Sequence, residues 1–179
     1  GQLAKFSKTK DSEYAGIGII YQELALVPEM TVCENILLGH EPTSGPFIDW
    51  ELAYAKAKQV LDQVKLKVNP SAKISSLGIG EQQLVEIAKA LARNASILIL
   101  DEPTNHLDLE SITALNNGLI EYQGTIVFTS HDHTFTQTIA NRIIELTPNG
   151  MLDKLMSYDE YLSDPKVKEQ RTELYGMPV

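Results

Sequence analysis

The chain has 179 residues, 43% of them hydrophobic, and a formal charge of −9 at pH 7. That is enough apolar material for one domain with a sizeable core, and its sign argues against a broad phosphate-backbone footprint, so any nucleic-acid contact would have to be local. The single cysteine excludes an internal disulfide framework and suits a reducing cytoplasm, and no apolar run is long enough to span a membrane. No basic-then-apolar leader is expected at the N-terminus, and a chain opening on Gly1 rather than Met reads as a fragment.

In chain order, Ala15–Tyr21 (AGIGIIY) is a short β-branched strand leading to Gln22, followed by a loop through Pro28. Thr31 caps a short helix through Leu38, Gly39 to Pro46 reads as a link, and Asp49 or Trp50 starts a helix toward Leu66 with apolar residues near period 3.6. From Ser75 the chain enters a helix over Gly80–Arg93 whose buried stripe is Leu84, Ile87, Ala88 and Leu91. Ile97–Leu100 is continuously apolar, which predicts a strand of a parallel sheet buried on both faces. Asp108–Tyr122 then reads as a helix, Thr125–Ser130 as a second buried strand, and Arg142–Met156 as a hairpin turning at Pro148-Asn149-Gly150. The polar tail from Ser163 reads as a helix or as disorder. Cys33, between Val32 and Glu34 with no cation beside it, reads as a small filler.

Two adjacent acids, Asp101 and Glu102, stand where the apolar strand ends. A solvated loop is the ordinary reading of such a pair, but the whole run SILILDEPTNHLD, Ser96 to Asp108, completes the Walker B and D-loop pattern and resembles the ATP-binding cassette (ABC) ATPases. The resemblance extends along nearly the whole chain. It implies an α/β fold like that of P-loop NTPases, a mostly parallel sheet with a helical subdomain inserted between Gln22 and the signature region. Residues 1–22 and 94–162 would form the core sheet, 23–93 the helical subdomain and signature helix, and 163–179 a tail. The phosphate-gripping G-x-x-x-x-G-K-[ST] is not found, since none of the eleven glycines precedes a Lys. The N-terminal Walker A strand and helix are therefore expected to be missing, leaving exposed strand edges and a tendency to oligomerise or to rearrange the sheet.

The resemblance also implies roles, with ATP and Mg2+ as cofactors. Asp101 would position the metal with a hard carboxylate oxygen, and Glu102 would polarise the attacking water. Gln22, at the Q-loop glutamine's position, would contact both metal and water. Leu77, Gly78, Ile79, Gly80 and Glu81 stand at the signature motif, where glycine amides and a helix N-terminus would grip the γ-phosphate held by a second cassette. The usual serine of that motif is Gly78 here, one donor fewer, which at a charged group is worth about 1.5–3 kcal/mol. His131 matches the switch histidine, Asp108 would reach the partner cassette from the D-loop, and His106 and His133 read as surface residues.

From Gly1 to about Pro103 the chain resembles sugar-importer ATPases, through IIYQELALVPEMTVCENILLGHEP, Ile48-Asp49-Trp50 and EQQLVEIAKALA. After Thr104, NHLDLE, TSHD and YDEYL resemble ABC-F proteins, soluble twin-cassette ATPases that act on ribosomes. The chain reads as a chimera joined inside the Walker B region, or as one divergent member that mixes both styles. The partners implied are a second cassette and transmembrane permease subunits, and the place implied is the cytoplasm, at the membrane's inner face through a permease. The functional classes are an ATPase completed by another chain, a non-catalytic docking module, and a folding unit without activity of its own.

Overall fold

The computed structural model describes residues 6–21, 23–105 and 107–176. They form two compact units, residues 1–130 and 131–179. The first unit runs α1 (Thr9–Tyr14), β1 (Ile17–Ile20), α2 (Val32–Leu37), β2 (Thr43–Ser44), β3 (Phe47–Ile48), α3 (Trp50–Gln63), a 3-10 turn (Ile74–Ser76), α4 (Ile79–Ala92), β4 (Ile97–Asp101), α5 (Leu109–Ile120) and β5 (Thr125–Thr129). The second runs α6 (His133–Ile139), β6 (Ile143–Thr147), β7 (Gly150–Lys154), α7 (Tyr158–Ser163) and α8 (Pro165–Tyr175).

The helices start where their caps stand. Thr31 Oγ1 accepts from Glu34 N–H while the Glu34 carboxylate accepts from Thr31 N–H, a reciprocal box that fixes the start of α2. Asp49 caps α3, Asp108 caps α5 and Asp132 caps α6. Gly39 to Pro46, read as a link, contains most of a hairpin, because β2 and β3 pair antiparallel across Gly45 and Pro46. The tail is helical as α8, with Asp164 capping it and Pro165 in its first turn.

In the first unit β1, β4 and β5 form a parallel sheet in that order, with Ile19 opposite Ile99 and Ile99 opposite Val127. One face packs on helices: Leu98 and Leu100 are buried together with Leu84, Val85, Ile87 and Ala88 of α4 and Leu115 and Leu119 of α5. Each such Leu or Ile contributes about 1.5–3 kcal/mol of burial. Gly18 lets β1 lie against α4, where a Cβ would come within 3.0 Å of the Ala90 methyl. The other face departs from the sequence reading. Ile19, Ile99 and Val127 form a row that is 45%, 36% and 52% exposed, so among the described residues β4 is buried on one face only and β5 is half-buried on that face. The apolar run is continuous because the chemistry suits a doubly covered strand, but no described element covers that side. β1 and β5 are both edge strands of this sheet.

In the second unit the β6–β7 hairpin turns at Pro148-Asn149. Glu145 of β6 accepts from the Tyr161 hydroxyl, from the Arg171 guanidinium at 3.1 Å and from the Tyr175 hydroxyl at 2.9 Å, tying α7 and α8 to the strand.

Candidate functional site

Strand β4 delivers Asp101 to its C-terminal end, where the side chain is exposed. Thr129, its neighbour on β5, donates from Oγ1 to Asp101 Oδ1 at 2.8 Å, which fixes the carboxyl's direction. The next residue is backbone-strained: Glu102 has φ 45°, the left-handed region that costs a non-glycine residue about 1–2 kcal/mol. Its N–H reaches the Thr129 carbonyl at 3.1 Å and Thr129 Oγ1 at 3.3 Å, so one threonine holds the Asp101 carboxyl and the Glu102 backbone. The kink continues into a tight turn, with Asn105 N–H on the Glu102 carbonyl at 3.1 Å. Thr104 and Ser130 hydroxyls bond at 3.2 Å, joining this turn to the end of β5.

The glycine segment begins α4. Gly78 N–H donates to Glu81 Oε2 at 3.0 Å, and the Gln82 amide donates to the Leu77 carbonyl at 2.9 Å. The Glu81 carboxylate therefore occupies the helix start to which an anion would otherwise bind, and a phosphate there must displace it. Ile79 is exposed at the same turn, whereas Gly80 is buried. A Cβ on Gly80 would stand 2.5 Å from Ser111 Oγ and 2.9 Å from Ser111 Cα. Ser111 N–H is the donor that Asp108 Oδ1 accepts at 2.8 Å, so Gly80 and Asp108 are brought to one place through Ser111. Those hydrogen bonds from Ser111 hold the exposed Asp108 carboxyl below the usual carboxylate range.

Not every sequence-predicted residue joins these clusters. Gln22 and His106 lie outside the described residues. His131 is exposed, the first residue of the second unit. His133, read as a surface residue, is one: its Nε2 lies 2.8 Å from Asp159 Oδ1, with its ring against Tyr158. Sequence reasoning missed Thr129 and Asn35, and it named Glu81 without the turn of its carboxylate back onto Gly78 N–H. Thr129 is legible only once its register opposite Asp101 is known, and Glu81 only once its carboxylate folds back. Asn35 is buried, and its side chain accepts from Val27 N–H at 2.7 Å and donates to the Val27 carbonyl, holding the loop that follows Gln22 against α2. A polar residue inside an apolar helical stretch was the signal.

Among the described residues no group of three His, Cys, Asp or Glu could form a metal cage. Asp101 fits Mg2+ of a different kind, since that ion takes one or two carboxylates and completes its shell with water and nucleotide phosphates. Thr129 occupies one oxygen of Asp101 in part, leaving the other for an ion.

Comparisons with known proteins bear on the family and the fold. The ABC transporter family model matches residues 2–105. A xylose import ATP-binding protein of Moorella thermoacetica is 50% identical over 149 residues, 82% of this chain and 30% of that protein. An uncharacterized ABC transporter ATP-binding protein of Bacillus subtilis, YkpA, is 63% identical over 104 residues, 58% of this chain and 19% of that protein. The chain thus spans between a fifth and a third of the length of the curated relatives it matches. Among solved structures, the ADP conformation of an ATP-binding cassette of an ABC transporter superposes with a TM-score of 0.68 at 25% identity, over 88% of this chain and 68% of that one. A nucleotide-free cassette gives the same score over 89% and 69%. With its parallel three-stranded sheet, its paired acids at the end of β4 and its glycine-led α4, the chain belongs to the ABC transporter family.

Proposed function

We propose that this chain carries the metal-positioning, water-activating and signature residues of an ATP-binding cassette that couples ATP binding and hydrolysis to sugar import. The observation that carries the reading is the Thr129 clamp, which orients the Asp101 carboxyl and holds the backbone of Glu102 beside it at the end of one strand. Asp101 takes a share of Mg2+, and the ion supplies charge neutralisation for the transferred phosphoryl group. Glu102 orients the attacking water as general base. Gln22 links metal and water, and His131 orients the γ-phosphate. Leu77, Gly78, Ile79, Gly80 and Glu81 form the face toward a nucleotide held by a second cassette, and Asp108 meets that cassette from the D-loop.

The xylose and arabinose import names of several relatives support the sugar-import reading. Permease subunits are then the partners and the cytoplasmic face of the membrane the place; no helix among the described residues is long and apolar enough to cross a membrane. A second reading is a chimeric folding unit joined near Thr104. It is favoured by the shorter and closer match to YkpA beside the longer and looser matches to xylose importers. An ABC-F portion acting on ribosomes is the third, and the charge of −9 counts against it. The test is to add a polypeptide carrying the strand, G-x-x-x-x-G-K-[ST] loop and helix of a sugar importer and to measure phosphate release. Turnover that Glu102→Gln abolishes supports the first reading; no turnover at saturating fragment supports the second.

A further inference from the structure

Two identical dipeptides stand in opposite surroundings. Of the eight asparagines only Asn117 and Asn149 are followed by glycine. Such an asparagine is open to attack on its own side chain, because the next amide nitrogen reaches Cγ when no Cβ stands in the way. Asn117 lies in α5, where Gly118 is buried together with Leu115 and Leu119 and a Cβ on it would stand 2.9 Å from the Val64 carbonyl oxygen. Releasing the Gly118 nitrogen requires unwinding that helix. Asn149 is the second residue of the β6–β7 turn, and both it and Gly150 are exposed. Gly150 forms the last rung of the ladder, opposite Thr147, so its nitrogen is freed by opening that rung alone.

This turn lies against the end of α8. A Cβ on Gly150 would stand 3.1 Å from Leu174 Cδ2, and Asn149 Nδ2 is 3.6 Å from the point that a Cβ of Gly176 would occupy. Gly176 closes α8 in the left-handed conformation, with φ 67° and its N–H turned back on the Thr172 and Glu173 carbonyls. The last carbonyls of a helix carry partial negative charge, and α8 has no basic residue in its last turn to offset it. The neutral Asn149 amide is tolerated at that pole, whereas a carboxylate in its place would be repelled.

We propose that Asn149 is a site of spontaneous deamidation whose product loosens the end of α8. The Gly150 amide nitrogen, on losing its proton to hydroxide, bonds to Asn149 Cγ and closes a succinimide ring; the Cγ–Nδ2 bond breaks, and the side-chain nitrogen takes a proton from water and leaves as ammonia. Water then opens the ring. Cleavage of the new Cγ–N bond gives aspartate, and cleavage of the original peptide bond gives isoaspartate, in which the chain runs on through Cγ. The balance is asparagine and water to a carboxylate and ammonium, with no oxidant, reductant or metal. Either product places a carboxylate beside the negative end of α8, and isoaspartate also lengthens the turn by a methylene. The inference stands independently of nucleotide chemistry, which uses other residues.

The test ages the whole chain in warm, mildly alkaline buffer and reads the two Asn-Gly peptides by mass, with isoaspartate identified by an isoaspartate-specific methyltransferase. In the folded chain conversion at Asn149 should run at least about tenfold faster than at Asn117, and in urea the two rates should converge. The aged protein should show amide exchange about two- to fivefold faster over the last turn of α8. Asn149→Asp should show the same gain without ageing, and Asn149→Gln, whose longer side chain closes the ring poorly, should neither convert nor exchange faster. Both variants alter one exposed turn residue, and circular dichroism checks that they fold. Three results would overturn the inference: no conversion at Asn149, equal conversion at both sites in the folded chain, or α8 exchange unaltered in the aged protein and in Asn149→Asp alike. Failure here leaves the phosphate-release test untouched, so the two readings fall separately.

Discussion

Gly80 is where packing and helix propensity disagree, and replacing it by alanine tests which wins. Propensity alone favours alanine by about 1 kcal/mol in a helix interior. Packing opposes it, because the new methyl would lie 2.9 Å from Ser111 Cα, a backbone atom that cannot rotate away. Overpacking of this kind typically costs about 1–3 kcal/mol, and α4 must shift from α5 to relieve it. The net expectation for Gly80→Ala is a loss of up to about 2 kcal/mol, read as a lower urea midpoint by Trp50 fluorescence with the slope unchanged. Ser111→Gly removes the opposing Cβ and hydroxyl, so the double variant should recover part of the loss, a coupling of about 0.5 kcal/mol or more. A raised midpoint for Gly80→Ala, or a double variant that recovers none of the loss, would refute the close approach of α4 to α5, and with it the joining of signature and D-loop segments through Ser111.

Thr129→Val keeps the strand's shape but removes the hydroxyl on Asp101 and Glu102 N–H; any Mg2+-dependent turnover of the completed cassette should fall by at least tenfold, with the fold unchanged by circular dichroism. Glu145 is pushed up by burial, but hydrogen bonds from Tyr161, Tyr175 and Arg171 together with the Arg171 charge bring it below its ordinary value. Its contribution should thus be complete above about pH 4.3 and lost as pH falls through the lower folded value, seen as faster amide exchange in α8 in acid. Glu145→Ala should release α8 at neutral pH, at a cost of about 1–3 kcal/mol for the partners left unsatisfied. Burial pushes the Cys33 thiol up to about 11, with Glu34 adding to the shift, so it should resist thiol reagents at pH 8 until the chain is unfolded. The exposed Ile19–Ile99–Val127 row and the β5 edge predict self-association at micromolar concentration, which Val127→Lys should abolish; a strictly monomeric parent by light scattering would contradict this.

Caps and turns made much of this fold legible in the chain itself. Thr31, Asp49 and Asp108 each mark a helix start that is observed, and the run ending in Asp101-Glu102 lies on a strand as expected. The β2–β3 hairpin escaped because its strands are two residues each, too short for an alternating pattern to register. Burial of β4 on both faces was over-read from hydrophobicity, since composition reports what a strand could bury and not what lies beside it. The site divides in the same way. Asp101, Glu102 and the glycines were readable as local motifs, whereas Thr129, the Glu81 fold-back and the Ser111 contact depend on register and helix packing, which no local window contains.

Thr129 orients the Asp101 carboxyl and holds the Glu102 backbone, and no G-x-x-x-x-G-K-[ST] stands among these 179 residues to hold phosphates. Calorimetric titration of Mg-ATP into this chain, beside the Asp101→Asn, Glu102→Gln double variant, tests it most directly. No binding is expected up to millimolar ATP in either protein; saturable binding to the parent that the double variant weakens would refute this and mean that the chain, or an oligomer of it, builds a nucleotide site without a Walker A loop.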